Sequence, residues 1–364
     1  TVEQLRELLG GAPARSPSEV QGQRFGDRLT LLEPIGEGGM GTVYRAYDRV
    51  LKRVVAVKRL RVDHLEAKGN QRALSRFERE AMAMARVRHP ACVQIFDAGV
   101  TAHGEPYLVI EFVAGKSLRA VIEEHHARGS RRGPIDPRQV AAWGAAIAEA
   151  LQACHDVGVV HRDVKPANVL LDAQRAPRLT DFGVALDDKA RTKLTVDKAM
   201  VGTLSYMAPE QALGDAVDAR SDVYALGATL YELLTGRPPF DPASALILLR
   251  QVVSVEPTPV RRFAPRVPVD LETVVMTCLS KAPNDRYATA QALALDLRRF
   301  LADEPVLARP ASVGRRLARR LWRARRAVAA AAVLAVGASV ATGVAHVRAR
   351  DAQRARIDAA LATA

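Results

Sequence analysis

The chain has 364 residues, 48% hydrophobic and 26% charged, so a buried core of ordinary size is available and disorder throughout is excluded. The formal charge of +13 invites a nucleic-acid reading, but seven arginines, the first Arg315 and the last Arg326, cluster directly before an apolar run. That adjacency suits an anionic membrane surface, and no nucleic-acid partner is expected. The three cysteines, Cys92, Cys154 and Cys278, are widely spaced among apolar residues, which argues against a disulfide framework or a paired-thiol zinc site and for a reducing compartment.

Residues 1–23 mix a short helical signal (Val2, Leu5, Leu8, Leu9) with Gly, Pro and Ser and read as a flexible leader; the start at Thr1 is read as that of a piece of a longer protein. Over residues 24–113 short β-rich runs, such as 53–60 and 107–112, are interrupted by one helical stretch at 72–88, which predicts a small sheet carrying one helix. Over 117–302 the periodicity is mainly helical, with amphipathic segments at 139–155, 219–234 and 270–279. The expected architecture is α+β and bilobed, with a ligand in the cleft between lobes.

Residues 303–326 read as a basic linker with prolines at Pro305 and Pro310. In 327–347 only Ser339, Thr342 and His346 are polar. As a helix this run spans about 31 Å, close to the hydrocarbon thickness of a bilayer, so a single transmembrane helix is expected, with a soluble Ala-rich helix as the alternative. Arginines are denser before the run than after it (Arg348, Arg350, Arg354, Arg356), which places the preceding part in the cytoplasm and makes 348–364 the start of a truncated extracytoplasmic region. Gly337 with Ala341, and Ser339 with Gly343, have the spacing of close helix packing and suggest a homodimer.

Chemistry concentrates in two constellations. The first is Ile35-Gly36-Glu37-Gly38-Gly39-Met40-Gly41-Thr42-Val43, whose glycines let backbone amides approach phosphate oxygens without an intervening Cβ. A dinucleotide-binding turn would open a helix, whereas residues 42–47 alternate like a strand, so these glycines cap a hairpin. Seventeen residues beyond Gly41 lies Val55-Ala56-Val57-Lys58, a strand placing one cation among apolar neighbours, suited to the α and β phosphates of a nucleotide. The second constellation is His161-Arg162-Asp163-Val164-Lys165-Pro166-Ala167-Asn168, followed by Asp181-Phe182-Gly183.

With these motifs the chain resembles the eukaryotic-type protein kinases and, among them, the bacterial membrane-anchored serine/threonine kinases, over about residues 25–301. The resemblance extends to Ala208-Pro209-Glu210, Asp222 and Arg286. It implies transfer of the γ-phosphoryl group of ATP to protein serine or threonine hydroxyls, with Mg²⁺, or Mn²⁺ in its place. It makes Asp163 the acceptor of the hydroxyl proton, Lys165 the cation at the γ-phosphate, and Asn168 and Asp181 the metal ligands. Nucleotide contacts fall to the residues from Ile35 to Val43, to Ala56 and Lys58, and to a hinge at Glu111 and Val113 with Ile110 gating the space behind. Glu80 is the expected partner of Lys58, with Glu78 as rival. Asp222 is implied to be a buried acceptor bracing the catalytic loop, and Glu210 and Arg286 an ion pair.

Arg162 before Asp163 implies control by phosphorylation, since a phosphothreonine can pair with such an arginine. Thr195 is the expected autophosphorylation site, Thr192 a further candidate, and Thr203 the residue receiving the substrate hydroxyl; Asp197 stands where many relatives carry a second threonine. Two other readings stay open: a kinase-fold membrane scaffold that transfers nothing, and a kinase of small molecules.

Overall fold

The computed structural model describes residues 22–38, 41–60, 70–101, 105–127, 135–181, 204–242 and 244–309. Residues 1–21 of the leader, Gly39, Met40, Thr192, Thr195, Thr203, the arginine cluster and the apolar run at 327–347 lie outside the described residues, whereas Gln23, read as the leader's last residue, opens the first strand of the sheet. Among the described residues no helix is long and apolar enough to cross a membrane.

The small lobe is one antiparallel sheet of β1 (Gln23–Phe25), β2 (Leu29–Gly38), β3 (Gly41–Asp48), β4 (Arg53–Leu60), β5 (Ile95–Val100) and β6 (Pro106–Glu111), in the order β1-β2-β3-β4-β6-β5. Strand alternation sorts β4: Val55 and Val57 join Leu29, Leu31, Ala46 and Val109 in one apolar cluster, while Ala56 and Lys58 point to the opposite face. Against that opposite face packs α1 (Asn70–Ala85), whose Phe77, Ala81 and Met84 recur at helical spacing and are buried with Leu60 and Leu108. Helix α1 opens two residues before the expected stretch and ends three before it, short of Pro90.

After β7 (Lys116–Ser117), the large lobe holds α2 (Leu118–Ala127), α3 (Pro137–Asp156), β8 (Val169–Leu171), β9 (Pro177–Leu179), α4 (Pro209–Leu213), α5 (Ala219–Thr235), α6 (Ala245–Ser254), α7 (Val269–Cys278) and α8 (Ala290–Leu301). Asp136 caps α3 by accepting from the N–H groups of Arg138 and Gln139, each at 3.3 Å, with Pro137 in the first turn, where its missing donor is harmless. Two glycines permit close packing: a Cβ on Gly144 would come within 2.9 Å of Leu230, and one on Gly227 within 2.4 Å of Cβ of Cys278. Helix α5 is thereby sealed from solvent along almost its whole length.

One further expectation changes. Residues 303–309, read as the start of a linker, belong to the same compact unit, which runs to Arg309. Buried Asp296 accepts from the N–H groups of Leu307 and Ala308, both at 2.7 Å, and from the Tyr287 hydroxyl at 2.8 Å. Cys92 and Cys154, separated by 62 positions, lie with sulfurs 3.9 Å apart; separation along the chain is no guide to separation across a folded core. Both are free buried thiols, and the neighbouring Cys92 together with burial pushes the Cys154 thiol up.

Candidate active site

The cleft is built from the catalytic loop outward. Arg162 has φ +66°, a left-handed conformation costing a non-glycine residue roughly 1–2 kcal/mol. Asp222, fully buried in the first turn of α5, offsets that cost: it accepts from the Arg162 N–H at 2.7 Å, the His161 N–H at 2.8 Å and His155 Nε2 at 2.8 Å. Hydrogen bonds to a carboxylate are shorter and stronger than neutral ones, so one side chain fixes two consecutive peptide units.

His161 carries the order onward. The Asp163 N–H donates to its Nδ1 at 3.3 Å, so Nε2 carries the proton and donates to the Thr180 carbonyl at 3.0 Å. Complete burial holds this imidazole below the usual histidine range, partly opposed by Asp222 and Asp163, so it stays neutral. The carboxylate of Asp163 is buried, with Lys165 Nζ at 2.9 Å and Asn168 Nδ2 at 3.0 Å. Asn168 also donates to the Asp163 carbonyl at 2.8 Å, and its own carbonyl accepts from the Thr180 N–H at 2.9 Å.

Asp181 follows Thr180, again with positive φ, +60°, and accepts from Lys58 Nζ at 2.7 Å across the lobes. Burial raises the Asp181 carboxyl, but the Lys58 ammonium more than offsets this and holds it below the ordinary carboxylate range. Lys58, Asp181 and Thr180 border a cavity with Ile95, Leu108 and Ile110. Glu80 is half-buried on α1, in helical register with Phe77 and Met84; the ion pair seen at Lys58 is the one with Asp181.

The remaining expected residues frame the opening. Ile35, Gly36 and Glu37 lie exposed on β2, paired with β3 in the register Gly36↔Val43, Glu37↔Thr42 and Gly38↔Gly41. Gly41 is required by space as well as by φ +148°: a Cβ there would stand 1.9 Å from the Arg59 carbonyl oxygen. Glu111 ends β6; its carboxylate accepts from Arg178 of β9 and from the Gln94 N–H at 3.2 Å, and Val113 beyond it is half-buried. Glu210 and Arg286 form a buried bidentate pair, both bonds 2.7 Å, with Ser221 Oγ adding a third donor to Glu210 at 2.6 Å. Burial raises the Glu210 carboxyl, and Arg286 overcomes this to hold it low.

Asn168 and Asp181 offer oxygen donors, the type a hard divalent cation takes. No group of three or more His, Cys, Asp or Glu able to hold a metal occurs among the described residues. A Mg²⁺ that keeps waters and shares its shell with substrate phosphates requires only one or two protein oxygens, so the donor set fits.

Sequence reasoning missed His155, Arg178 and Gln211. His155 left one signal, a polar residue four positions after Leu151 on the buried stripe of α3. Arg178 and Gln211 act through partners 67 and 49 positions away, and no local pattern announces such contacts.

The family pattern described as the protein kinase domain matches residues 29–297. The serine/threonine-protein kinase PknB of Mycobacterium leprae is 40% identical over 282 residues, covering 77% of this chain and 44% of that protein. The probable serine/threonine-protein kinase PknB of Corynebacterium glutamicum is 42% identical over 282 residues, covering 75% of this chain and 42% of its own. The chain thus spans less than half the length of these relatives. The crystal structure of the Mycobacterium tuberculosis PknI kinase domain superposes with a TM-score of 0.62 at 27% identity, covering 78% of this chain and 99% of that domain.

Proposed function

Because the chain belongs to the protein kinase family, we propose that it transfers the γ-phosphoryl group of ATP to serine or threonine hydroxyls of proteins. The observation that carries this reading is the convergence of opposite charges on one cleft: Asp163 with Lys165 at 2.9 Å on one side, Asp181 with Lys58 at 2.7 Å on the other. Phosphoryl transfer needs positioning and charge neutralisation more than covalent help, and these groups supply both. Asp163, acceptor-only when ionised, orients the attacking hydroxyl and takes its proton; Lys165 leans to the γ-phosphate. Lys58 holds the α and β phosphates, with Glu80 as its second acidic partner, and adenine lies against Ala56 and the backbone of Glu111 and Val113. Mg²⁺, held by Asn168 and Asp181, supplies neutralisation of phosphate charge when bound.

The expected check is an autophosphorylation assay with ATP and Mg²⁺, comparing the chain with Asp163→Asn and mapping modified sites by mass spectrometry. Loss of a general base lowers the rate by about a hundredfold to ten-thousandfold. Equal rates in both proteins would defeat the reading. Thr195, with Thr192 beside it, is the expected phosphorylated position, its charge received by Arg162, and Thr203 helps to seat the substrate hydroxyl.

The same reading makes residues 327–347 a membrane anchor, with residues 315–326 on anionic headgroups and the kinase unit on the cytoplasmic side. Its support is the length of the apolar run and its arginine flank. Expressed in bacteria, the chain is expected in the membrane fraction and resistant to extraction by high salt. Recovery in the soluble fraction would remove the anchor and leave the catalytic proposal standing.

A further inference from the structure

The carboxamide of Gln211 is engaged at both ends. Its Oε1 accepts from the Ala208 N–H at 3.1 Å, closing the first turn of α4, and its Nε2 donates to the Arg162 carbonyl at 3.1 Å. Arg162 is the left-handed residue directly before Asp163, and its N–H is already held by Asp222 at 2.7 Å. The Arg162 carbonyl and the Asp163 N–H belong to one planar peptide unit, and that N–H meets His161 Nδ1 at 3.3 Å. Gln211 therefore fixes the plane from which the Asp163 side chain departs.

We propose that Gln211 is a positioning residue for Asp163, joining the start of α4 at Ala208-Pro209-Glu210 to the catalytic loop. The inference rests on the phosphoryl-transfer reading and deepens it. A bond that only capped α4 would need an acceptor alone, and glutamate serves that capping position as well as glutamine. The link to Arg162 needs a donor. Glutamate in its ionised form keeps the bond to Ala208 and sets oxygen against oxygen at Arg162. The two roles thus separate in one near-isosteric substitution. Because Gln211 sits in the first turn of α4, a shift of that turn reaches Asp163 through this amide.

The test compares purified parent, Gln211→Glu and Gln211→Met by steady-state kinetics, thermal unfolding and hydrogen exchange at the Asp163 amide. Gln211→Glu is expected to melt a few degrees lower yet stay folded at the assay temperature, keep the parent's KM for ATP, lose about tenfold in kcat, and exchange the Asp163 amide faster. Gln211→Met, lacking both functions, loses kcat similarly and melts lower. A Gln211→Glu protein with the parent's kcat and exchange rate overturns the proposal, as does a kcat loss accounted for by unfolding. If the parent transfers no phosphate, the proposed function fails, and the exchange rate still decides whether Gln211 holds the peptide.

Discussion

The two sides of the cleft are held in different ways. On the large-lobe side Asp222 is fully buried and takes three donors within 2.8 Å, and Arg286 and Glu210 are locked bidentately at the start of α4. On the small-lobe side Lys58 is tied to Asp181 by one bond, and the Asp181 side chain is one-third exposed. The first arrangement is over-determined and the second adjustable. The proposed phosphoryl transfer, which would orient a hydroxyl and let a nucleotide enter and leave, calls for this division.

That contrast can be broken by removing one cation from each side. Arg286→Ala strands a buried Glu210 carboxylate and is expected to cost about 3–5 kcal/mol, lowering the melting temperature by roughly 10 °C. Lys58→Met leaves Asp181 with access to water, so the melting temperature should move by less than half as much while ATP binding weakens. Thermal unfolding of both proteins, with nucleotide titration of the second, is the measurement. Similar losses of stability would show that the small-lobe side is as tightly built as the other.

The same contrast explains what the sequence disclosed. Local periodicity marked the helices: α3, α5 and α7 begin and end within two residues of the expected segments, because their apolar stripes face a single core. Asp163, Asn168 and Asp181 were legible because their motifs are contiguous, and the structure ties Asp163 to Asn168 and Asn168 to Thr180 directly. What supports them was harder to read. His155 and Gln211 reach the catalytic loop through tertiary contacts, and the pairing of Lys58 with Asp181 spans 123 positions. The strap at 303–309 was misread because Pro305 resembles linker punctuation, whereas the buried Asp296 carboxylate, a partner invisible from composition, binds Leu307 and Ala308.

Acid separates the two sides with a smaller effect. His161 is neutral with its proton affinity lowered by burial, so just below its ordinary value of 6.5 the unfolded chain takes a proton there and the folded chain does not. Stability attached to this residue is therefore complete above that value and falls as pH drops through the window beneath it, by about 1 kcal/mol over one unit. His89, also held low by burial, acts in the same direction. Asp181 has the opposite chemistry: its folded carboxyl is held below the ordinary 3.8, so its contribution persists above that value and is lost only in stronger acid. Melting temperature is thus expected to decline between pH 7 and 5.5, and His161→Gln, though less stable throughout, should show a shallower decline. An unchanged slope in that variant would mean that the proton is taken up elsewhere, and that the neutral imidazole joining Asp163 to Thr180 does not set the acid limit of the large-lobe side.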